Sequence, residues 1–222
     1  MLVLAAVEAS EELSGFLRRA VNDSGARETL RTETARVAAG LSAFQRMTVQ
    51  GLDCVGPHDV LREQEEDLDG LNQVAPALAK SMQVLLRRLE SAATKLPAEE
   101  MVLCHGAFRY NQFLRRGDTL IALDLDALCL SGASADAGEF LAYLDLTALR
   151  RPRLCPAIPV CEEVFLAAVL QPRRDPRWLA WYRAASHVKW AQRSLLSLRL
   201  RWPEITEGLL RAAERTLQEL PA

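Results

Sequence analysis

The stretch Met101–Phe140 constrains the fold more than any other part of the chain. It holds three short apolar runs, Met101–Cys104, Gln112–Arg115 and Thr119–Leu123, separated by Gly and polar residues. Runs of this length with such borders are typical of strands. Gly117-Asp118 lies between the last two runs and predicts a hairpin turn, because Gly takes positive φ at no steric cost.

Two polar loops border this predicted hairpin. His105-Gly106 follows the first run, and Asp124-Leu125-Asp126 follows the last. Because the hairpin joins the segments that carry them, we expect the two loops to lie side by side. Binding and catalytic residues are often on loops that a rigid scaffold holds in place. The sequence therefore predicts a functional site where these loops meet.

Composition limits the class of protein. A chain of 222 residues that is 50% apolar and 25% charged can bury a sizeable core. A formal net charge of -2 gives no indication of binding to nucleic acid or to a membrane surface. No apolar run is long enough to span a membrane. Five scattered cysteines without a C-x-x-C pair favour reduced thiols and a cytoplasmic location.

Helical periodicity dominates on both sides of the central stretch. Residues 9–97 and 136–220 are predicted to form helices, so the expected fold is a single domain over residues 1–222, mainly α with a small β-hairpin insertion, in the α+β class. The segments with helical patterns include Glu28–Met47, Asp59–Leu71, Ala137–Leu149, Val160–Leu170, Arg177–Leu200 and Glu204–Leu220.

The first residues also form an apolar run. Met1–Val7 is almost wholly apolar and then meets Glu8. The run predicts a buried strand, and a buried strand needs neighbours on both sides. Since none precede it in this sequence, we expect an N-terminal partner segment to be missing.

The central stretch resembles the aminoglycoside phosphotransferase and choline kinase-like superfamily, whose members are relatives of the protein kinases. The family pattern is His-Gly-Asp, four residues, Asn, a hairpin, Ile-Asp-x-Asp or similar, and about ten residues later an Asp that opens a helix. The matching residues are His105-Gly106-Ala107, Gln112, Leu123-Asp124-Leu125-Asp126 and Asp136.

The resemblance is specified by Val102–Leu141 and extends more loosely over nearly the whole chain. It implies the C-terminal lobe of a protein kinase-like phosphotransferase fold. Residues 1–8 would then be the hinge strand that joins the two lobes, with Glu8 at the nucleotide. Residues 101–126 would form the catalytic-loop hairpin.

The resemblance also implies a role for each matching residue. Phosphoryl transfer at such sites is mostly positioning and electrostatic stabilisation, with Mg²⁺ held by oxygen ligands against the phosphates of ATP. Asp124 would be the main metal ligand and Asp126 a supporting one. Gln112 stands where the family has Asn and offers the same amide oxygen on a longer arm. Asp136 would brace the backbone of the His105 loop.

Two departures from the family pattern argue against ordinary catalysis. Ala107 occupies the position of the catalytic Asp, and a methyl group cannot accept a proton. A general base typically contributes ~10²–10⁴-fold to the rate, and that contribution is lost here. Arg109 and Tyr110 are polar groups on the same loop, but an Arg stays protonated and is a poor base. The second departure is that no Gly-rich phosphate loop and no strand Lys precede Met1, so the N-terminal lobe is expected to be absent.

The expected function is therefore that of a small-molecule phosphotransferase homologue that is truncated and catalytically impaired. Its expected partners are a small-molecule substrate or a chain that supplies the missing lobe. Two other functions stay open. One is a non-catalytic pseudokinase-type binding module. The other is a Mg²⁺-dependent phosphohydrolase, because Ile121–Leu128 resembles motif I of the haloacid dehalogenase-like enzymes, with Asp124 as nucleophile and Asp126 as acid/base.

The fold around the motif distinguishes the phosphohydrolase from the kinase relatives. A phosphohydrolase of that class needs alternating strands and helices after the motif, whereas the kinase relatives need a helical lobe with a small hairpin.

The assignment of the metal ligand depends on the register of the family pattern. A shift of register by one residue would make Asn111, instead of Gln112, the metal-ligand candidate. We prefer Gln112 because it preserves the four-residue gap of the family pattern.

Overall fold

The computed structural model describes residues 11–170, 174–197 and 200–220, so the predicted strand Met1–Val7 and the hinge residue Glu8 lie outside the described residues. The strands are β1 (Glu11–Glu12), β2 (Cys54–Val55), β3 (Met101–Cys104), β4 (Phe113–Arg116), β5 (Thr119–Ala122) and β6 (Cys129–Gly132). The helices are α1 (Leu13–Ala20), α2 (Ser24–Phe44), α3 (Pro57–Glu66), α4 (Leu68–Val74), α5 (Pro76–Ala93), α6 (Ala135–Arg150), α7 (Ile158–Val169), α8 (Pro176–Leu196) and α9 (Trp202–Gln218).

The predicted hairpin is present as β4 and β5. These strands pair antiparallel, with Arg116 opposite Thr119 on either side of the turn. Gly117 in that turn has φ 57°, the left-handed conformation that short hairpin turns require. Strand β4 begins at Phe113 and not at Gln112, because Gln112 closes a 3₁₀ turn by donating its backbone N–H to the carbonyl of Arg109 at 2.9 Å. Strand β1 pairs antiparallel with β4 and completes a three-stranded sheet.

The sequence does not predict the second sheet. Its central strand is β6, which pairs antiparallel with β3 and parallel with β2. The run Met101–Cys104 is thus a strand as expected, but it lies beside β6 and not beside the hairpin. Strand β6 ends in Ser131-Gly132 and β2 has two residues, so neither shows the alternation on which strand prediction depends.

Helix boundaries agree with the predictions to within a few residues, apart from three larger differences. Helix α2 begins at Ser24, earlier than expected, because the Asp23 side chain accepts the N–H of Gly25 at 2.8 Å and caps it. The segment Asp59–Leu71 contains two helices, α3 and α4, which meet at Asp67. Helix α8 ends at Leu196, and Arg201, with φ 64°, separates it from α9. Among the described residues no helix is both long and apolar enough to cross a membrane.

Helix α6 belongs to both parts of the core. Its residues Ala142 and Leu146 are in one buried cluster with α5, α8 and α9, where the Trp181 indole N–H also donates to the carbonyl of Leu89 at 2.8 Å. Its residue Phe140 is in a second cluster with α1, α2 and α7 and stacks on Phe165 with ring centroids 4.0 Å apart. The helix that carries Asp136 is therefore fixed from both sides, and the prediction of a mainly α fold with a small β part is confirmed.

Candidate functional site

The loop after β3 makes a tight turn at Gly106. This residue has φ 74°, and a Cβ atom placed on it would lie 2.1 Å from the carbonyl oxygen of Ala127. Both the left-handed backbone and the close approach exclude a larger residue. The turn thereby holds the His105-Gly106-Ala107 loop against the 3₁₀ turn Leu125–Ala127, as expected for neighbouring loops.

Asp136 is in the first turn of α6 and is buried beneath the same loop. Its carboxylate accepts the backbone N–H of His105 at 2.7 Å and that of Gly106 at 3.0 Å. Burial raises the pKa of Asp136 to about 7, although both of these hydrogen bonds act to lower it. The structure thus brings Asp136 to the backbone groups that the family resemblance implies.

His105 joins the two loops by its side chain. The ring is 1% exposed and packs among Phe44, Phe108 and Phe113. Burial lowers the pKa of His105, so the neutral ring donates from Nε2 to the carbonyl of Leu123 at 2.8 Å. A histidine so enclosed positions the second loop and is not placed to exchange protons with a ligand.

The predicted metal-ligand residues Gln112 and Asp124 are in contact. The Gln112 side chain donates from Nε2 to Asp124 Oδ2 at 2.6 Å. The Gln112 backbone carbonyl accepts the backbone N–H of Leu123 at 2.9 Å. Asp124 has φ 61° and ψ 58°, a left-handed conformation that Asp tolerates better than most residues. Asn111, the alternative candidate, has no hydrogen bond to Asp124, and Asp126 is exposed and has none to Gln112 or Asp124.

Arg109 approaches the same carboxylate. Its Nη2 lies 3.4 Å from Asp124 Oδ2, and its Nε donates to the carbonyl of Ala107 at 3.2 Å. The guanidinium carbon lies over the rings of Tyr143 and Trp190, 5.6 and 5.5 Å from their centroids. Arg109 therefore connects the loop of Ala107, the loop of Asp124 and two helices.

A cavity of about 280 Å³ opens beside Ala107. Glu139, one turn after Asp136 on α6, faces it and is 4% exposed; its Oε2 lies 2.5 Å from Lys189 Nζ and its Oε1 accepts the indole N–H of Trp190 at 3.2 Å. The polar and charged side chains that line the cavity are Glu63, Gln64, Ser131, Asp136, Glu139, Tyr182, Ser186, Lys189 and Arg193.

Glu139 and Lys189 were not predicted from the sequence as residues of the site. The sequence gives only weak evidence for these two residues. Glu139 follows Asp136 at helical spacing, and Lys189 belongs to a helix whose aromatic residues recur at helical spacing, a pattern that indicates core. Most of these aromatic residues are indeed core, and Trp181 is fully buried. His187 is a core histidine, 1% exposed and hydrogen-bonded to Asp145 at 2.8 Å.

The predicted ligands do not fit a bound Mg²⁺ in this arrangement. Gln112 presents its amide nitrogen to Asp124, because the opposite orientation would place two oxygens 2.6 Å apart. The cationic group of Arg109 is on the same carboxylate oxygen. Within the described residues no cluster of three or more His, Cys, Asp or Glu side chains could hold a metal ion. The metal roles of Asp124, Gln112 and Asp126 stay predictions, and these contacts count against them.

No family model and no curated protein match the chain, but solved structures do. A glucosamine kinase superposes with a TM-score of 0.66 at 17% identity, over 98% of this chain and 61% of that chain, and glucosamine kinase has also been solved in complex with glucosamine, ADP and inorganic phosphate. A choline/ethanolamine kinase family protein from Mesorhizobium loti gives 0.63 at 13% identity, over 97% of this chain and 69% of that chain. A spectinomycin phosphotransferase in complex with ADP and spectinomycin gives 0.52 at 14% identity, over 85% and 66%.

These likenesses concern the fold. The chain spans about three-fifths of the glucosamine kinase, and all of the identities are low. They confirm the protein kinase-like fold that the resemblance of the central motif to aminoglycoside phosphotransferases and choline kinases implied, mainly α with a small β part.

Proposed function

We propose that this chain is a catalytically impaired relative of small-molecule phosphotransferases that binds a hydroxyl- or amine-bearing ligand in the cavity beside Ala107. The fold supports the class, because the neighbouring structures are kinases of glucosamine and choline or ethanolamine and a spectinomycin phosphotransferase. A fold alone does not determine a function, so the residues of the site have to support the proposal.

The observation that carries the proposal is the methyl group of Ala107 on the cavity wall. A phosphotransferase needs a proton acceptor within hydrogen-bond reach of the substrate hydroxyl. Three carboxylates line this cavity, and the two buried ones, Asp136 and Glu139, have partners within the chain. Asp136 accepts two backbone amides, and Glu139 is held by Lys189 and Trp190. Glu63, the third, is an exposed residue of α3, so the buried part of the cavity can bind a hydroxyl without a free carboxylate to remove its proton.

The lining suits a small polar ligand. Gln64 is 3% exposed, and its Oε1 has no hydrogen-bond partner among the described residues. A buried acceptor without a partner costs free energy that a ligand donor would recover. Ser186 and Tyr182 add hydroxyl groups to the same wall. Such convergent polar groups are what orients a small molecule in a pocket.

Nucleotide binding and a cytoplasmic location are further parts of the proposal. The glucosamine kinase complex with ADP and inorganic phosphate supports a nucleotide in the fold family. The alternative partner is a second chain whose lobe binds phosphate and covers the cavity beside Ala107. A phosphohydrolase is disfavoured, because Asp124 follows β5 of an antiparallel hairpin and the only parallel pairing among the described strands joins β2 to β6.

Calorimetric titration with glucosamine, choline and spectinomycin tests the proposal. We expect saturable binding of at least one of the three by the parent chain. Ala107→Phe should abolish it by filling the cavity mouth, and Ala98→Phe, the same change at an exposed residue outside the cavity, should preserve it. Absence of binding up to about 10 mM, or equal binding by A107F, would overturn the proposal.

A further inference from the structure

The carboxylate of Asp124 is neutralised from within the chain. Its Oδ2 faces Gln112 Nε2 at 2.6 Å and Arg109 Nη2 at 3.4 Å, so two donors converge on one oxygen. A metal ion bound to that oxygen would compete with both donors. Of the described side chains, Arg109 is the one that forms an ion pair with Asp124.

The Arg109 side chain is fixed in this position. It is 16% exposed, its Nε is bound to the Ala107 carbonyl at 3.2 Å, and its planar group rests on Tyr143 and Trp190. Cation–π contacts are stronger when the cation is desolvated, and the rigid guanidinium loses little freedom in forming them. The cation is therefore held in place by contacts that do not involve Asp124.

The surroundings oppose an additional cation. Arg193 also lies near the Trp190 ring, 5.3 Å from its centroid, and adds positive charge beside Arg109. Lys189 lies 5.8 Å from the same centroid, with its charge paired to Glu139. Ala107 supplies no carboxylate that could balance an incoming divalent ion. Asp126, the remaining predicted ligand, is exposed and makes no hydrogen bond to the pair.

We infer that Arg109 is the resident cation of this site, and that its guanidinium takes the place of a divalent metal on Asp124 and excludes Mg²⁺ and Mn²⁺ from it. The site then differs in kind from a metal-dependent phosphotransferase centre. The inference is separate from ligand binding in the cavity, since metal binding and small-molecule binding are measured independently and either can fail alone.

Electron paramagnetic resonance with Mn²⁺ alone tests the inference. The parent should show little or no saturable Mn²⁺ binding. Arg109→Gln should gain a single site at least tenfold tighter, and adding Asp124→Asn should abolish the gain. Arg116→Gln, which neutralises an exposed arginine on the same hairpin, should behave like the parent.

Arg109→Met keeps a long side chain on the Trp190 ring without the charge, so it carries the same test if Arg109→Gln does not fold. Gain of a D124N-sensitive site in either folded variant supports the inference. Tight Mn²⁺ binding by the parent that is unchanged or weakened in R109Q would overturn it. Failure of every folded neutral variant to gain a site would also overturn it.

Discussion

The carboxylate of Asp136 and the backbone amide of His105 are joined by a hydrogen bond of 2.7 Å across 31 residues of sequence. The bond ties the first turn of α6, which is fixed in both core clusters, to the loop that carries Ala107. A second bond, from the amide of Gly106, makes the carboxylate a two-point brace. The shape of the candidate site therefore depends on a residue that is 1% exposed.

Asp136→Ala should destabilise the protein. The substitution leaves two buried N–H groups without an acceptor, each of which costs about 1–3 kcal/mol, so we expect the free energy of unfolding in urea to fall by roughly 2–6 kcal/mol. Asp126→Ala changes an exposed Asp and should cost less than about 0.5 kcal/mol. If D136A unfolds at the same urea concentration as the parent, the brace is not structural.

Gly106→Ala should cost more stability than the same change in the hairpin turn. Both Gly106 and Gly117 have positive φ, 74° and 57°, so both substitutions carry backbone strain of about 1–2 kcal/mol. The Cβ at Gly106 would also meet Ala127 O at 2.1 Å, whereas nothing lies within 4 Å of one at Gly117. Thermal melts of G106A and G117A separate the two effects, and equal losses would contradict the close approach of the loops.

Much of the site was visible in the sequence because it is local. His105-Gly106, Gln112 and Asp124 lie around one hairpin, and Gly117-Asp118 marks its turn. The register is what brings Gln112 to Asp124. Phe113 pairs with Ala122, so Gln112 lies opposite Leu123 and accepts its N–H, and the next residue, Asp124, comes within reach of the Gln112 side chain.

The parts that the sequence did not reveal depend on distant contacts. The second sheet joins β2 to β6 across the chain, and residues as far apart as Ser131 and Val55 are linked there by a hydrogen bond of 2.7 Å. The cavity combines α3, α6 and α8. Periodicity reports which face of a helix is buried but not which helix it meets, so Glu139 and Lys189 could not be assigned to the site.

His187 should make stability depend on pH. Burial lowers its pKa, so the folded state holds the ring neutral, while the unfolded chain takes up a proton near pH 6.5. The unfolded state then binds more protons, and the free energy of unfolding falls as pH drops below about 6.5. His187→Gln keeps an N–H donor for Asp145 but cannot titrate.

Urea denaturation of the parent and H187Q at pH 8 and pH 5 measures this effect. We expect the stability lost by H187Q to be smaller at pH 5 than at pH 8, because the parent loses its own His187 contribution on acidification. His58→Gln alters an exposed histidine and serves as the control, with a difference from the parent that stays constant. A cost of H187Q that grows toward low pH would contradict a neutral buried ring.

The central claim is that the chain is catalytically impaired as a phosphotransferase. A phosphotransfer assay tests it most directly, by measuring radiolabelled phosphate transferred from ATP, with Mg²⁺ present, to glucosamine, choline or spectinomycin. With a methyl group in place of a base worth ~10²–10⁴-fold in rate, we predict that the parent and Asp124→Ala are both indistinguishable from a blank without protein. Steady transfer by the parent that disappears in D124A would contradict the account.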